Sequence, residues 1–190
     1  IGVEVPGMQN VGMAIGYIRD FRIGSVRIGH ASGALEASFA NAPYLKKAGL
    51  DVLINMSPVH KAATDPELWK TEMANIGRLM AENGKHIDVF EVKNEPNICP
   101  GWTVEKNLQM ISEIAALMKK YGLKAELAGP VPCGTDFTWI ANVLAGREAE
   151  HLTVVTEHPY RTLPELPDYA DDVGTVRKII ELYRKGLPHY

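Results

Sequence analysis

Two rhythms of apolar residues alternate along this chain. Short, nearly continuous runs of apolar and β-favouring residues fall at 1–5, 25–29, 50–56, 87–95, 124–128 and 152–158. Between them, apolar residues recur every three or four positions, the spacing of a helix with one buried face. Residues 13–21 carry that spacing at Ala14, Ile15, Ile18 and Phe21, and a weaker helix over 35–48 is interrupted near Pro43 and closed by Gly49. In the next helix Thr64 and Glu67 read as a capping box, Pro66 sits in the first turn, and Trp69, Met73, Ile76 and Met80 form the stripe. Thr103 caps a helix whose Leu108, Ile111, Ala115 and Met118 face one way until Gly122 stops it. Asp136 caps another through Trp139, Ile140 and Leu144. Val173, Val176, Ile180 and Tyr183 line the last, which ends at Gly186 and Pro188.

Six strand-helix units in succession, joined by short connections, predict a parallel sheet with helices outside it. A doubly wound nucleotide binder would carry a glycine-rich turn after its first strand. The stretch from Pro6-Gly7 to Gly12 lacks the GxGxxG pattern. The unusual polar residues instead follow strands two to six, the side on which a (β/α)8 TIM barrel builds its active face. The pattern therefore predicts such a barrel, with residues 1–190 as one partial domain holding the first six strand-helix units. A full barrel takes about 250 residues, so a seventh strand is expected after Tyr190, with residues 187–190 as its run-in.

Composition narrows the partners. The chain is 46% hydrophobic and 23% charged, enough for one proper core, with a net charge of -3 and scattered basic residues. Nucleic acid is therefore not expected as a partner. No apolar run reaches membrane-spanning length, and no secretory leader is legible. Cys99 and Cys133 are too few for a disulfide framework and lack metal-site spacing. They follow neighbouring strands, so a bond between them is open, with two free thiols as the simpler expectation. His30, Asp136 and His158 lie in separate loops, and neither a metal nor a cofactor is expected. Compartment and oligomeric state stay open.

The chemistry concentrates at the fourth strand, which runs Val89-Phe-Glu-Val-Lys-Asn-Glu95 and breaks at Pro96. A bare carboxylate at the end of a buried strand costs several kcal/mol in desolvation unless partners or a raised pKa relieve it. Strand ends facing a cleft are where catalysis accepts such costs. Glu95 is thus a candidate general acid/base, and Asn94 beside it a candidate for binding a sugar hydroxyl. A surface turn explains the same residues, since Asn-Glu-Pro-Asn is good turn chemistry. The sixth strand adds His158-Pro159-Tyr160. Alternation puts His158 and Tyr160 on one side of the strand and Glu157 on the other. Trp102, after the Glu95 loop, suits either stacking on a sugar ring or packing beneath the loop. His30 follows strand two. Trp69 and Trp139 sit at helical spacing and read as core, and His60 as a loop residue.

Asn94-Glu95-Pro96 closing strand four, with His158-x-Tyr160 closing strand six, resembles the large clan of retaining glycoside hydrolases built on (β/α)8 barrels. Arg27 on strand two also matches. The resemblance spans 1–190 at the level of strand order. It implies Glu95 as acid/base and Asn94 against the sugar 2-hydroxyl. It further implies that His158 and Tyr160 line the site, that Arg27 supports the nucleophile, and that the nucleophilic Glu comes from strand seven. Within the clan, Val26-Arg-Ile-Gly-His30 and His158-Pro-Tyr-Arg161 with Pro164-Glu165 are similar to the β-xylosidase/α-L-iduronidase family, and the heparanase-like β-glucuronidases are a second match. The implied activity is hydrolysis of O-glycosidic bonds in an oligosaccharide or polysaccharide by double displacement. Glu95 would then need a pKa near the working pH, raised by burial and by the nucleophile's charge. Glu157 is not taken as that nucleophile, because it belongs to the sixth strand and has the wrong parity. Two other readings compete. One is a carbohydrate-binding barrel without catalysis. The other is an aldolase- or isomerase-like barrel using Lys93, for which the phosphate-binding loop is lacking.

Overall fold

The computed structural model describes residues 2–4, 22–29, 34–160 and 166–184. Six strands, β1 (Gly2–Glu4), β2 (Ser25–Ile28), β3 (Asp51–Asn55), β4 (Val89–Glu91), β5 (Glu126–Cys133) and β6 (Val154–His158), form one parallel sheet in the order β1-β2-β3-β4-β5-β6. Each strand neighbours the one before it in sequence, so the sheet lacks the reversal that marks a doubly wound fold. Sequential parallel order is what a barrel wall has, and the sheet is consistent with part of one. The helices described are α1 (Leu35–Lys47), α2 (Pro66–Asn83), α3 (Val104–Tyr121), α4 (Phe137–Ala145) and α5 (Leu166–Tyr183). The helix predicted over 13–21 lies outside the described residues, so the expectation of six complete strand-helix units narrows to six strands, five of them followed by a described helix.

The strand registers explain why both faces of the sheet are occupied. Val26 pairs with Val52, Ile28 with Ile54, Ile54 with Phe90, and Phe90 with Leu127, placing all of them on one face. That face packs against the helices: Phe90 stacks on Phe39 of α1 with ring centroids 6.3 Å apart, and neither is accessible to solvent. The opposite face carries Arg27, Asn55 and Glu91, with Asn55 and Glu91 directly paired. A period of two thus separates an apolar helix-facing layer from a polar layer within one strand sequence.

Four local expectations change. The cap of α2 is Asp65, whose carboxylate accepts from Leu68 N at 3.1 Å; Thr64 is not the cap. Pro66 at the first helical position fixes φ there and makes the residue before it the cap. The fully buried stripe of α3 is Asn107, Met110, Ile111 and Ile114, with Leu108, Ala115 and Met118 half-buried beside it. Strand β5 runs on through Gly129-Pro130-Val131-Pro132-Cys133, which sequence reads as a loop because proline lacks a ladder donor. The pairing absorbs the prolines with a register shift between Pro130 and Cys133. Finally, β4 pairs regularly over Val89–Glu91 rather than as far as residue 95.

Candidate active site

The fourth strand leaves its ladder in three steps. Met56 N still donates to Glu91 O at 2.8 Å, and Val92 N to Ala128 O at 3.1 Å. At Asn94 the backbone N–H turns to a side chain instead, donating to Ser57 Oγ at 2.9 Å. Glu95 then adopts a left-handed conformation, φ 47° and ψ 52°, and a short turn Pro96–Ile98 follows. Sequence reads Asn94-Glu95 as extended strand; the observed kink swings the Glu95 side chain out of the strand's alternation. A non-glycine residue held there costs roughly 1–3 kcal/mol and persists only when its surroundings over-determine it.

The Glu95 carboxylate meets two groups from β6. His158 Nδ1 lies 2.9 Å from Glu95 Oε1, and the Tyr160 hydroxyl hydrogen-bonds the same oxygen. An ionised carboxylate only accepts, so the tautomer that fits places the imidazole hydrogen on Nδ1. The two rings meet edge to face with centroids 5.9 Å apart, Tyr160 largely exposed and His158 half-buried. Glu157 between Thr156 and His158 is buried. Burial pushes the Glu95 pKa up, but the Tyr160 and His158 hydrogen bonds and the His158 and Arg27 charges outweigh it, holding the carboxyl below its ordinary value. The expected raised pKa is therefore not produced by these neighbours, because they are donors and cations that favour the charged form.

Behind Glu95 runs a buried polar network. Arg27 Nε donates to Glu91 Oε2 at 2.7 Å, and its Nη2 donates to Asn94 Oδ1 at 2.7 Å. Asn55 Nδ2 donates to Glu91 Oε2 at 2.9 Å and to Val92 O at 2.6 Å, while Ser57 Oγ donates to Asn55 Oδ1 at 2.5 Å. Glu91, only 2% exposed, thus has the ionic partner that a buried charge requires. The expectation for Arg27 was support of a nucleophile. Among the described residues it binds Glu91 and aims the Asn94 amide, engaging the carbonyl oxygen of Asn94.

Trp102 is placed otherwise than a sugar-stacking residue. It is buried, tilted against Trp69 at 5.9 Å, with the Lys93 ammonium 5.6 Å from its ring centroid. The loop covers the indole because two large apolar rings gain more from each other than from water. Lys93 itself is 3% exposed, and burial pushes its pKa down against the opposing charges of Cys99 and Glu95. Cys99 and Cys133 are both free thiols, each with its pKa raised chiefly by burial. The Cys99 thiol donates to Glu95 O at 3.2 Å, and His60 Nε2 lies 3.8 Å from its sulfur. His30 lies outside the described residues. Among the described residues no group of three or more His, Cys, Asp or Glu side chains is placed to hold a metal, and no helix is long and apolar enough to cross a membrane.

Glu95, Asn94, Arg27, His158 and Tyr160 are brought together; Trp102 is not. Sequence reasoning missed Glu91, Asn55, Ser57 and Asn97. The first two had a signal, being polar residues at alternate positions of otherwise apolar strands. Ser57 and Asn97 had none, since one lies in the irregular segment after β3 and the other in the turn after Glu95.

No protein-family model and no curated protein sequence matches this chain. Solved structures do match in fold. A monomeric β-xylosidase from Caulobacter crescentus superposes with a TM-score of 0.72 at 17% identity, over 100% of this chain and 51% of that one. An endoglucanase from Thermotoga maritima gives 0.71 at 14% identity, over 100% of this chain and 77% of that one. A glycoside hydrolase family 30 xylanase from Clostridium acetobutylicum gives 0.62 at 13% identity, over 85% and 49%. The chain thus spans about half the length of the xylanase and the β-xylosidase.

Proposed function

We propose that this chain is part of a (β/α)8-barrel glycoside hydrolase that cleaves O-glycosidic bonds with retention, using Glu95 as acid/base. The observation that carries the reading is the grip on one carboxylate oxygen. Glu95 Oε1 contacts His158 Nδ1 and the Tyr160 hydroxyl at the carboxyl end of a parallel sheet, beside an Asn94 whose amide Arg27 orients. Strand ends of this kind are where barrel enzymes keep their chemistry. The structural likeness to a β-xylosidase, an endoglucanase and a xylanase supports the class and a carbohydrate substrate.

In the proposed mechanism the Glu95 carboxylic acid gives its proton to the glycosidic oxygen as the C–O bond breaks. A second carboxylate, expected from a seventh strand, attacks the anomeric carbon and forms a glycosyl ester. Glu95, now ionised, takes a proton from the water that displaces that ester. His158 and Tyr160 favour the ionised form and so serve the second step. The nucleophile's negative charge favours the acid form needed in the first, and that charge is consumed as the ester forms. Asn94 would present its Nδ2 to a sugar hydroxyl while Arg27 holds its Oδ1.

The test is Glu95→Gln in the full-length protein, assayed on unactivated xylo- and gluco-oligosaccharides. The expected outcome is a loss of about 10²–10⁴-fold in kcat, the contribution of general acid/base catalysis. Wild-type turnover would rule the assignment out.

A further inference from the structure

We infer that Asn97 is a positioning residue, a side-chain splint that sets the spacing between Glu95 and His158; this rests on the reading of Glu95 as acid/base. Asn97 lies in the turn directly after Glu95. Its Oδ1 accepts from Cys133 N at 2.8 Å, and its Nδ2 donates to Cys133 O at 3.1 Å and to Asp136 Oδ2 at 3.1 Å. One donor and one acceptor offered to the same residue is what a neighbouring strand provides, so the Asn97 amide substitutes for a strand at this point. On its far side Cys133 stands in register with His158 of β6. The Asn97 side chain, the Cys133 backbone and His158 therefore form a row, which the Glu95–His158 contact at 2.9 Å closes.

The ordinary ladder does not set this spacing. Regular pairing of β4 with β5 ends at Glu91 and Ala128, and the β5–β6 register shifts between Pro130 and Cys133. Past those points the Glu95 turn is tied to β5 by one backbone bond, Glu95 N to Val131 O, by the Asn97 amide, and by a side-chain hydrogen bond between Cys133 and Glu95. The splint is anchored in turn on a helix end, because Asp136 Oδ1 caps α4 by accepting from Trp139 N at 2.9 Å. Hydrogen bonds to a carboxylate weaken steeply with distance and angle, so a splint that slackens releases Oε1 from its β6 partners. The groups facing Glu95 are Arg27 from β2, Lys93 and Cys99 from its own segment, Cys133 from β5, and His158 and Tyr160 from β6. Asn97 is uncharged and touches none of the reacting atoms, so Asn97→Ala acts on the Glu95 titration through geometry alone, whereas Asn97→Asp also adds a negative charge nearby.

The experiment is a carbon-13-detected titration of the Glu95 carboxyl in the full-length protein, with Asn97→Ala, Asn97→Asp and the double variant Asn97→Asp/Asp136→Asn. In Asn97→Ala the Glu95 pKa is expected to rise, with kcat on 4-nitrophenyl β-D-xylopyranoside down at least tenfold and KM within twofold. Asn97→Asp should do the same, because it loses the donor and sets two carboxylates against each other. Asp136→Asn returns a donor to that contact but none to Cys133 O, so it should recover only part of the Glu95 shift. A purely structural role would lower the thermal midpoint of the variants while leaving the Glu95 titration of the folded protein at its wild-type position. That result, or an Asn97→Ala protein with wild-type titration and kcat, overturns the inference. Glu95→Gln assayed on unactivated xylo- and gluco-oligosaccharides separates the two readings: activity retained there ends the acid/base assignment, while the titration still decides Asn97.

Discussion

Glu95 and Val131, neither of them glycine, both hold left-handed backbone conformations, with φ 47° and 58°, and are joined by a hydrogen bond from Glu95 N to Val131 O at 3.0 Å. Two such residues facing each other across adjacent strands store strain at the candidate acid/base, and the network of Asn94, Ser57 and Asn97 keeps the kink in place. Strain tolerated at one carboxylate points to function at that carboxylate.

Glycine adopts φ 47° without a steric cost. Glu95→Gly is therefore expected to lose activity while keeping its stability at neutral pH, or gaining up to about 1 kcal/mol, since relief of the backbone offsets the lost hydrogen bonds. Urea denaturation checks this. A loss of several kcal/mol would mean that the kink is not strained.

Tyr160→Phe removes a donor to the ionised form of Glu95, so the Glu95 pKa should rise. The sign for stability follows from the lowered folded-state value. The Glu95 interactions contribute fully above the unfolded carboxyl's ordinary pKa, and the contribution is lost as pH falls through the lower folded value. The stability gap between wild type and Tyr160→Phe should accordingly be open at neutral pH and close in acid. Denaturation midpoints measured across that window test it, and a gap that widens in acid contradicts it.

Arg27 supplies the positive charge beside the buried Glu91 carboxylate. Arg27→Ala leaves that carboxylate unpaired and should cost about 3–5 kcal/mol, whereas Arg27→Met combined with Glu91→Leu should cost much less. Arg27→Lys should not substitute for arginine, because one ammonium cannot hold Glu91 and Asn94 with the geometry of a guanidinium. A double-mutant cycle by chemical denaturation reads the coupling.

Much of the fold was legible because its signals are local. The apolar runs and helical stripes located the strands, while the alternation that sets Asn55 and Glu91 opposite Phe90 was present in the sequence but went unread. What escaped depends on partners distant in sequence. Two prolines in β5 look like breakers until a register shift accommodates them. The kink at Glu95 looks like strand until Val131, Ser57 and Asn97 are seen to hold it. For Trp102, stacking on a sugar and packing beneath the loop read equally well, because nothing local to it announces that Trp69 packs against its ring and Lys93 lies beside it. Thr64 lost the cap to Asp65 by one residue, a contest that sequence spacing leaves undecided.

The sequential pairing of the strands also orders events in time. Among the described residues each strand of the sheet pairs with its chain neighbours, so β2, β3 and β4 can associate during synthesis before β6 has emerged. Arg27, Asn55 and Glu91, which lie on β2, β3 and β4, can then meet while the Glu95 carboxylate still lacks its two β6 partners. Docking of β6 then brings His158 and Tyr160 against it. The protonation behaviour of a single carboxyl group thus reports how far the sheet has grown.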